Sequence, residues 1–330
     1  MSNDIDSINE RQDGVNLAAS CWFLTGATAT GKTTVSLEMA RRLDAEIISL
    51  DSMAIYRGMD IGTAKPSREV QKQVPHHLID IIDPPHHFSV SQYRQAATSK
   101  IAEIRSRGKE VLFVGGTALY LKVLLRGMFE GPPADWDFRN EVEEELRVMG
   151  TEFLHQRLEM VDPISAHLIH PNDKRRIIRA LEVLRLTGKP ISHWQRQFDE
   201  GLQAHQCRVF TLRHPRVVLH ERIEKRVEMM FEQGLIEEVK GLLRQYQELG
   251  KTAAQAVGYR EVIDHLADKM DVEQTVQQVK SRTRKFARHQ ETWFRGLSEC
   301  RMIDLPGVID PALIADALIK EGSELLQEEN

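Results

Sequence analysis

In the stretch SCWFLTGATATGKTT (residues 20–34), Gly26, Gly31, Lys32 and Thr33 stand in the G-x-x-x-x-G-K-[ST] spacing of a phosphate-binding loop. The chemistry this spacing serves is anion capture. Glycines let backbone N–H groups converge on phosphate oxygens, and the helix that begins near Gly31 adds its positive dipole end. Lys32 supplies a mobile ammonium and Thr33 a hydroxyl for Mg²⁺. The candidate cradle for a di- or triphosphate is therefore Gly26, Ala27, Thr28, Ala29, Thr30, Gly31, Lys32 and Thr33. A chance match is the competing reading, and the strand-like run before the loop and helical pattern after it count against that.

The elements that must hold this loop can be read around it. Trp22, Phe23 and Leu24 form an apolar run that stops at the first glycine, and residues 32–43 carry Val35, Leu37, Met39, Ala40 and Leu43 at helical spacing. AEIISLD (45–51) is apolar without alternation, as expected of a buried parallel strand, and it ends in Asp51. The segment DSMAIYRGMDIGTAKP (51–66) follows a strand's carboxyl end, where open α/β sheets place their ligands. Asp51 is a candidate functional carboxylate there. The same residue could equally cap the following turn. Leu78–Ile82 reads as a short strand beside two histidine pairs, His76–His77 and His86–His87, and adjacent histidines on a strand point to opposite faces and make no chelate. Residues 89–107 read as a helix, and Val111–Val114 as a strand running into Gly115, Gly116 and Thr117. Most phosphate-loop NTPases have an acidic Mg²⁺ partner at that strand end, so its replacement by glycines and a threonine argues against an ordinary ATPase or GTPase.

Composition sets the frame. The chain has 330 residues, a formal net charge of −5 and 28% charged residues, enough length for one large domain and a smaller one. No apolar run approaches the roughly 18 residues of a membrane span, and the acidic N-terminus does not resemble a secretory signal. Three widely spaced cysteines fit a reducing cytoplasm. Residues 1–19 read as a disordered leader, 20–134 and 206–330 as the sheet-bearing core, and 135–205 as a helical insertion after the linker GPPADWD. The net charge excludes indiscriminate polyanion binding, so a nucleic acid would have to meet a local basic patch.

Two such patches are visible. In HPNDKRRIIRALEVLRLTGKPIS, Asn172 or Asp173 caps a helix whose first two turns carry Lys174, Arg175, Arg176 and Arg179, cations the dipole disfavours there. A phosphate backbone would justify them; a solvated basic face is the plainer reading. Ile177, Ile178 and Leu181 can face a core. CRVFTL (207–212) returns to strand character and is followed by a helix on which Arg222 and Arg226 share a face. They are candidate pyrophosphate clamps, against an ordinary salt-bridged surface helix. In SRTRKFARHQETWFR, Arg282, Arg284, Lys285, Arg288, His289 and Arg295 alternate with Phe286, Trp293 and Phe294, a mixture suited to RNA stacking and phosphate contact. Residues 308–327 read as a terminal surface helix.

Together, GATATGKT, DSMAIYRGMDIGTAKP, PHHLIDI, VGGTALYL, NDKRRIIRALEV, QAVGYRE and TRKFARHQETWFR resemble the tRNA dimethylallyltransferase family, in order, from about residue 21 to 296. The resemblance implies an α/β fold, a P-loop NTPase-like parallel sheet core flanked by helices, with an α-helical insertion domain. It implies transfer of a dimethylallyl group from dimethylallyl diphosphate to the exocyclic amine of the adenosine 3′ of the anticodon, tRNA position 37. Asp51 matches the family's general base and Thr117 the threonine near the bridging oxygen of the diphosphate. Lys32, Mg²⁺ on Thr33, and Arg222 would stabilise the leaving pyrophosphate. The tRNA contacts it implies are Asp51, Ser52, Met53, Ala54, Thr117, Arg139, Arg175, Arg176, Ile177, Ile178 and Arg179. The partners it implies are tRNA and dimethylallyl diphosphate, with no membrane, for a monomeric cytoplasmic enzyme.

Three positions depart from the family's pattern: Ala54 where glutamine is frequent, Ala27 where proline is usual and Ala118 where glycine is frequent. Ala54 removes an amide that could read a base. The rival readings are an adenylate isopentenyltransferase, which has no need of an arginine-rich insertion, a small-molecule kinase, which would carry an acid near Gly115, and a non-catalytic RNA-binding protein, against which Lys32, Thr33 and Asp51 stand intact.

Overall fold

The computed structural model describes residues 20–129, 131–195, 201–308 and 310–325; the leader expected over residues 1–19 lies outside them. In chain order the main elements are β1 (Trp22–Gly26), α1 (Lys32–Leu43), β2 (Ala45–Ser49), β3 (His76–His77), α2 (Val90–Ser106), β4 (Glu110–Gly115) and α3 (Ala118–Arg126). There follow α4 (Trp136–Val161), α5 (Lys174–Thr187), β5 (Arg208–Arg213), α6 (Arg216–Glu232) and α7 (Leu235–Tyr246). The chain then forms α8 (Tyr259–Leu266), α9 (Val272–Arg295), β6 (Arg301–Asp304) and α10 (Pro311–Glu324). It divides into two compact units, Met1–Leu125 with Gly201–Asn330, and Arg126–Glu200.

The first unit is built on one sheet of order β3-β2-β4-β1-β5-β6, every adjacent pair parallel. Its strands are apolar on both faces because both faces are covered. Phe23 of β1, with Cys21 just before it, packs with α2 and α3 residues such as Tyr93, Ile101 and Leu121, whereas Trp22 and Leu24 pack with Val35 and Met39 of α1 and Ala315 and Leu318 of α10. Each such side chain withdrawn from water contributes about 1.5–3 kcal/mol. Because all strands run the same way, the loops after β1, β2, β4 and β5 emerge at one end of the sheet, the carboxyl end that receives ligands in open α/β folds.

Three expectations change. Leu78–Ile82 is not a strand: Leu78 and Asp80 have φ of 59° and 56°, left-handed values that interrupt extended backbone, and the segment hydrogen-bonds the turn at Ala54 and Ile55. The ladder to β2 is made by His76 and His77 instead. Residues 311–324 are not a mere surface helix, since Ala315 and Leu318 close one face of the sheet. β6, absent from the sequence reading, adds an edge strand of four residues, too short for a clear pattern.

The second unit is helical. Phe138, Val142, Leu154, Leu158, Ile177, Leu181 and Val183 form its core, and α4 breaks at Gly150, whose φ is 82°. At its centre the carboxylate of Glu182, 0% exposed, accepts from Arg139 Nε at 2.7 Å, Arg179 Nη1 at 2.5 Å and the Asp135 N–H at 2.9 Å.

Candidate active site

The loop after β1 has the geometry of an anion cradle. Gly26 has φ 137°, and a Cβ there would lie 2.4 Å from the Leu212 carbonyl oxygen, so only glycine allows β1 to turn so close to β5. Thr30 Oγ1 donates to the Ala27 carbonyl at 2.9 Å, and Ala29 sits at φ 66°. The outcome is a row of amides, Ala29 through Thr34, that make no hydrogen bond among the described residues. They surround the uncapped N-terminus of α1. Such orphan donors need an acceptor, and the dipole there favours an anionic one.

Cations converge on the same place. Lys32 Nζ donates to the Gly26 and Ala27 carbonyls at 2.9 and 2.6 Å. Burial, and then the neighbouring Arg226, push its ammonium down to about 7, with Asp51 acting in the opposite sense. Arg222 Nε donates to the Ala29 carbonyl at 2.7 Å, which fixes the loop apex while its Nη groups make no hydrogen bond among the described residues. Arg226 reaches the Thr63 carbonyl at 3.5 Å and has no carboxylate partner within ion-pair distance among the described residues. Lys32, Arg222, Arg226, Asp51 and Thr117 line one cleft of about 1170 Å³. Of its other carboxylates, Asp60 and Asp80 both pair with Lys65, at 2.7 and 2.6 Å.

Asp51 caps the turn that follows it. Its Oδ1 accepts from the Met53 and Ala54 amides at 2.8 and 3.3 Å, a turn cap, while Oδ2 carries no hydrogen bond among the described residues. The carboxylate is thus oriented by its own turn through one oxygen. Thr117 Oγ1 accepts from the Ser52 N–H at 3.1 Å and stands 3.4 Å from Ser52 Oγ. The Thr117 N–H is held by the Leu50 carbonyl at 3.0 Å, so the ends of β2 and β4 are tied together.

The wall facing the cradle, residues 59–66, is held from outside. Glu238 accepts from the Asp60, Ile61 and Gly62 amides at 3.0, 2.7 and 3.3 Å and from Tyr259 Oη at 2.6 Å. A Cβ on Gly62 would lie 2.4 Å from the Tyr259 ring. Neither Glu238 nor Tyr259 was singled out by sequence reasoning; the only signal was the QAVGYRE block, whose partner loop is invisible in one dimension.

Other predicted residues fare unevenly. Thr28, Ala29, Gly31, Thr33, Ser52, Met53 and Ala54 line the cleft. Ala27 and Thr30 do not: both are buried behind the loop, at 1% and 0% exposure, and the Thr30 side chain serves the loop's own shape. Ala54 is itself 5% exposed and serves through its amide to Asp51. In the helical unit Ile177 and Ile178 belong to the apolar core, which removes their side chains from any RNA surface. Arg139 and Arg179 are engaged by buried Glu182. Arg176 is exposed, with its Nε 3.4 Å from Asp173, whose Oδ1 caps α5. On α9, Phe294 is fully buried, Arg282 pairs with Glu261 and Arg284 with Glu224, while Phe286 and Trp293 are exposed. His77 binds Glu46 at 2.6 Å. Among the described residues no three His, Cys, Asp or Glu side chains gather into a metal site, and no helix is long and apolar enough to cross a membrane.

The family model described as IPP transferase matches residues 54–297. The chain belongs to that family. It is 52% identical to a tRNA dimethylallyltransferase of Rhodopirellula baltica over 84% of this chain and 86% of the relative. To one of Geobacter metallireducens it is 43% identical, over 88% and 94%. Among solved structures, the full-length tRNA isopentenylpyrophosphate transferase of Bacillus halodurans superposes with a TM-score of 0.68 at 38% identity, covering 94% of this chain and 99% of that one. A eukaryotic dimethylallyltransferase caught acting on tRNA gives 0.68 at 26% identity, over 86% and 73%. The family match begins at residue 54, so the phosphate loop and Asp51 lie outside it and rest on their own geometry.

Proposed function

We propose that this protein is a tRNA dimethylallyltransferase: it moves a dimethylallyl group from dimethylallyl diphosphate onto the exocyclic amine of adenosine 37, 3′ of the anticodon, and releases pyrophosphate. The observation that carries the reading is the pairing of opposites in one cleft. Lys32, Arg222 and Arg226 lack ion-pair partners among the described residues, beside a row of open amides, and in the same cleft Asp51 keeps one oxygen uncommitted. A polyanion that leaves and a proton that must be removed account for both halves.

The amine of adenine is a weak nucleophile because its lone pair is delocalised into the ring. Asp51 Oδ2 takes its proton as nitrogen bonds to the allylic carbon, and the carbon–oxygen bond to the diphosphate breaks. Negative charge grows on the departing oxygens where the loop amides, Lys32 and the free Nη groups of Arg222 are already placed. Thr117, whose Oγ1 accepts from the Ser52 amide, would take the part of the family's threonine near the bridging oxygen of the diphosphate. Mg²⁺ fits this site through the Thr33 hydroxyl, exposed and without a partner among the described residues, because Mg²⁺ commonly takes few protein ligands and completes its shell with phosphate and water. When bound, it would supply further neutralisation of the diphosphate. The adenosine must leave its stack at a cost of a few kcal/mol, which contacts to the anticodon loop must offset. We take the enzyme to act as a cytoplasmic monomer.

Incubating the protein with Mg²⁺, unmodified tRNA and either dimethylallyl diphosphate or ATP tests this. The expected result is a mass gain of one dimethylallyl group on a single adenosine with the first donor only. Consumption of ATP without tRNA modification would sink the reading in favour of a kinase, and modification of free adenylate in preference to tRNA would move it to the nucleotide-specific relatives.

A further inference from the structure

Along α9 the buried positions are Thr275, Val279, Lys280, Ala287, Gln290 and Phe294, and one of these is an amide. Gln290 is 8% exposed. Burying an amide is unfavourable by a few kcal/mol unless its hydrogen bonds are replaced, so its partners carry information. Oε1 accepts from the Thr28 N–H at 2.9 Å and Nε2 donates to the Gly116 carbonyl at 2.9 Å. The two partners lie in the loops that follow β1 and β4, neighbouring strands of the sheet. Gly116 has no room for a side chain for the same reason: a Cβ there would lie 2.3 Å from Gln290 Nε2.

Two consequences follow for the cleft. The Thr28 amide is withdrawn from the cradle, so the open donors begin at Ala29. And the phosphate loop is joined through one rigid side chain to Gly116, whose neighbour Thr117 is joined in turn to Ser52, next to Asp51. Resting on the function proposed above, we propose that Gln290 is a positioning residue that sets the distance between the diphosphate held by the loop and the base held beside Asp51 and Thr117. It lines the cleft, but both ends of its amide are taken by the protein. Its loss should leave each substrate bound but misplace one against the other, and such a misplacement acts on turnover more than on binding.

The variants Gln290→Leu and Gln290→Glu separate this from a structural role. In Gln290→Leu, kcat with tRNA should fall about tenfold or more, while the donor KM and the Kd for inorganic pyrophosphate stay within about threefold and the unfolding midpoint moves little. Gln290→Glu should be impaired at pH 8, where a carboxylate accepts from Thr28 but repels the Gly116 carbonyl. Burial and that carbonyl raise its pKa, and the protonated acid has the donor and acceptor of the amide it replaced. Its turnover relative to the parent protein should therefore recover as the pH falls toward about 6. Parental kcat in Gln290→Leu, or a loss in both variants that is independent of pH and matched by weakened pyrophosphate binding, would overturn the positioning role. A parent protein that transfers no dimethylallyl group to tRNA would instead overturn the proposed function, and the role given to Gln290 with it.

Discussion

Two groups of arginines in this molecule look alike in one dimension and differ in what faces them. In the helical unit Arg139 and Arg179 converge on Glu182, a fully buried carboxylate that also takes the Asp135 amide. In the cleft of the sheet-bearing unit Arg222 and Arg226 converge on Lys32 and on open amides, with no carboxylate within ion-pair distance among the described residues. The first group is internally neutralised and holds a fold together. The second is a positive charge without an ion-pair partner: burial first and then Arg226 depress the Lys32 ammonium, Asp51 opposes them, and an arriving anion would stabilise the group further. A basic residue therefore signals a ligand when its counter-charge is missing, and a structural joint when it is present.

The sharpest way to break this comparison is at the one carboxylate of the cleft that, among the described residues, has no ion-pair partner. Asp51→Ala should lower turnover by about 10² or more with pyrophosphate and tRNA affinities nearly unchanged, the scale expected for a lost general base. Unchanged single-turnover rates would remove Asp51 from the chemistry. In the helical unit the effect should instead appear in stability. Glu182→Gln removes the shared counter-charge and should cost about 2 kcal/mol, moderated because both arginines reach water. Urea unfolding of the full chain would measure it, and pyrophosphate titration should show the cleft untouched.

The cleft should also answer to pH. Lys32 titrates at about 7 in the free protein, and a bound diphosphate raises that value. Above pH 7 binding must then take up a proton, so affinity should weaken as pH rises, by up to about tenfold per unit. Calorimetry in buffers of differing ionisation enthalpy would register the uptake, and Lys32→Met should abolish it. The smallest effect concerns the exposed arginines. Neutralising Arg175 and Arg176 together should weaken tRNA binding and reduce the slope of log K against log salt by about 0.7–0.9 for each phosphate no longer neutralised. Arg139→Ala should leave that slope alone while lowering stability. The opposite pattern would show that Glu182 does not hold Arg139 back from RNA.

Much of the fold could be read because its signals are local. The phosphate loop, α1, β2 and β4 are each specified by a run of neighbours, and Ser89 opens α2 with the capping box expected of a serine three residues ahead of glutamine. β6 and the turn at Leu78–Ile82 could not be read, since one is four residues long and the other depends on backbone bonds to Ala54 and Ile55. The candidate site divides the same way. Lys32, Thr33 and Asp51 announce themselves by type and spacing. Gln290, Glu238 and Tyr259 do not, because each acts through a loop far away in sequence.

By itself, then, the sequence determined which atoms are available for anion capture and proton removal, since those depend on residue type within a few positions of a strand end. Only the tertiary structure decided which charges remain unopposed. It buried Ile177 and Ile178, paired Arg139 with Glu182, left Arg226 without a carboxylate among the described residues and set Gln290 between two loops. The physical reason is that electrostatic balance and desolvation depend on distances in space, and chain spacing does not contain them.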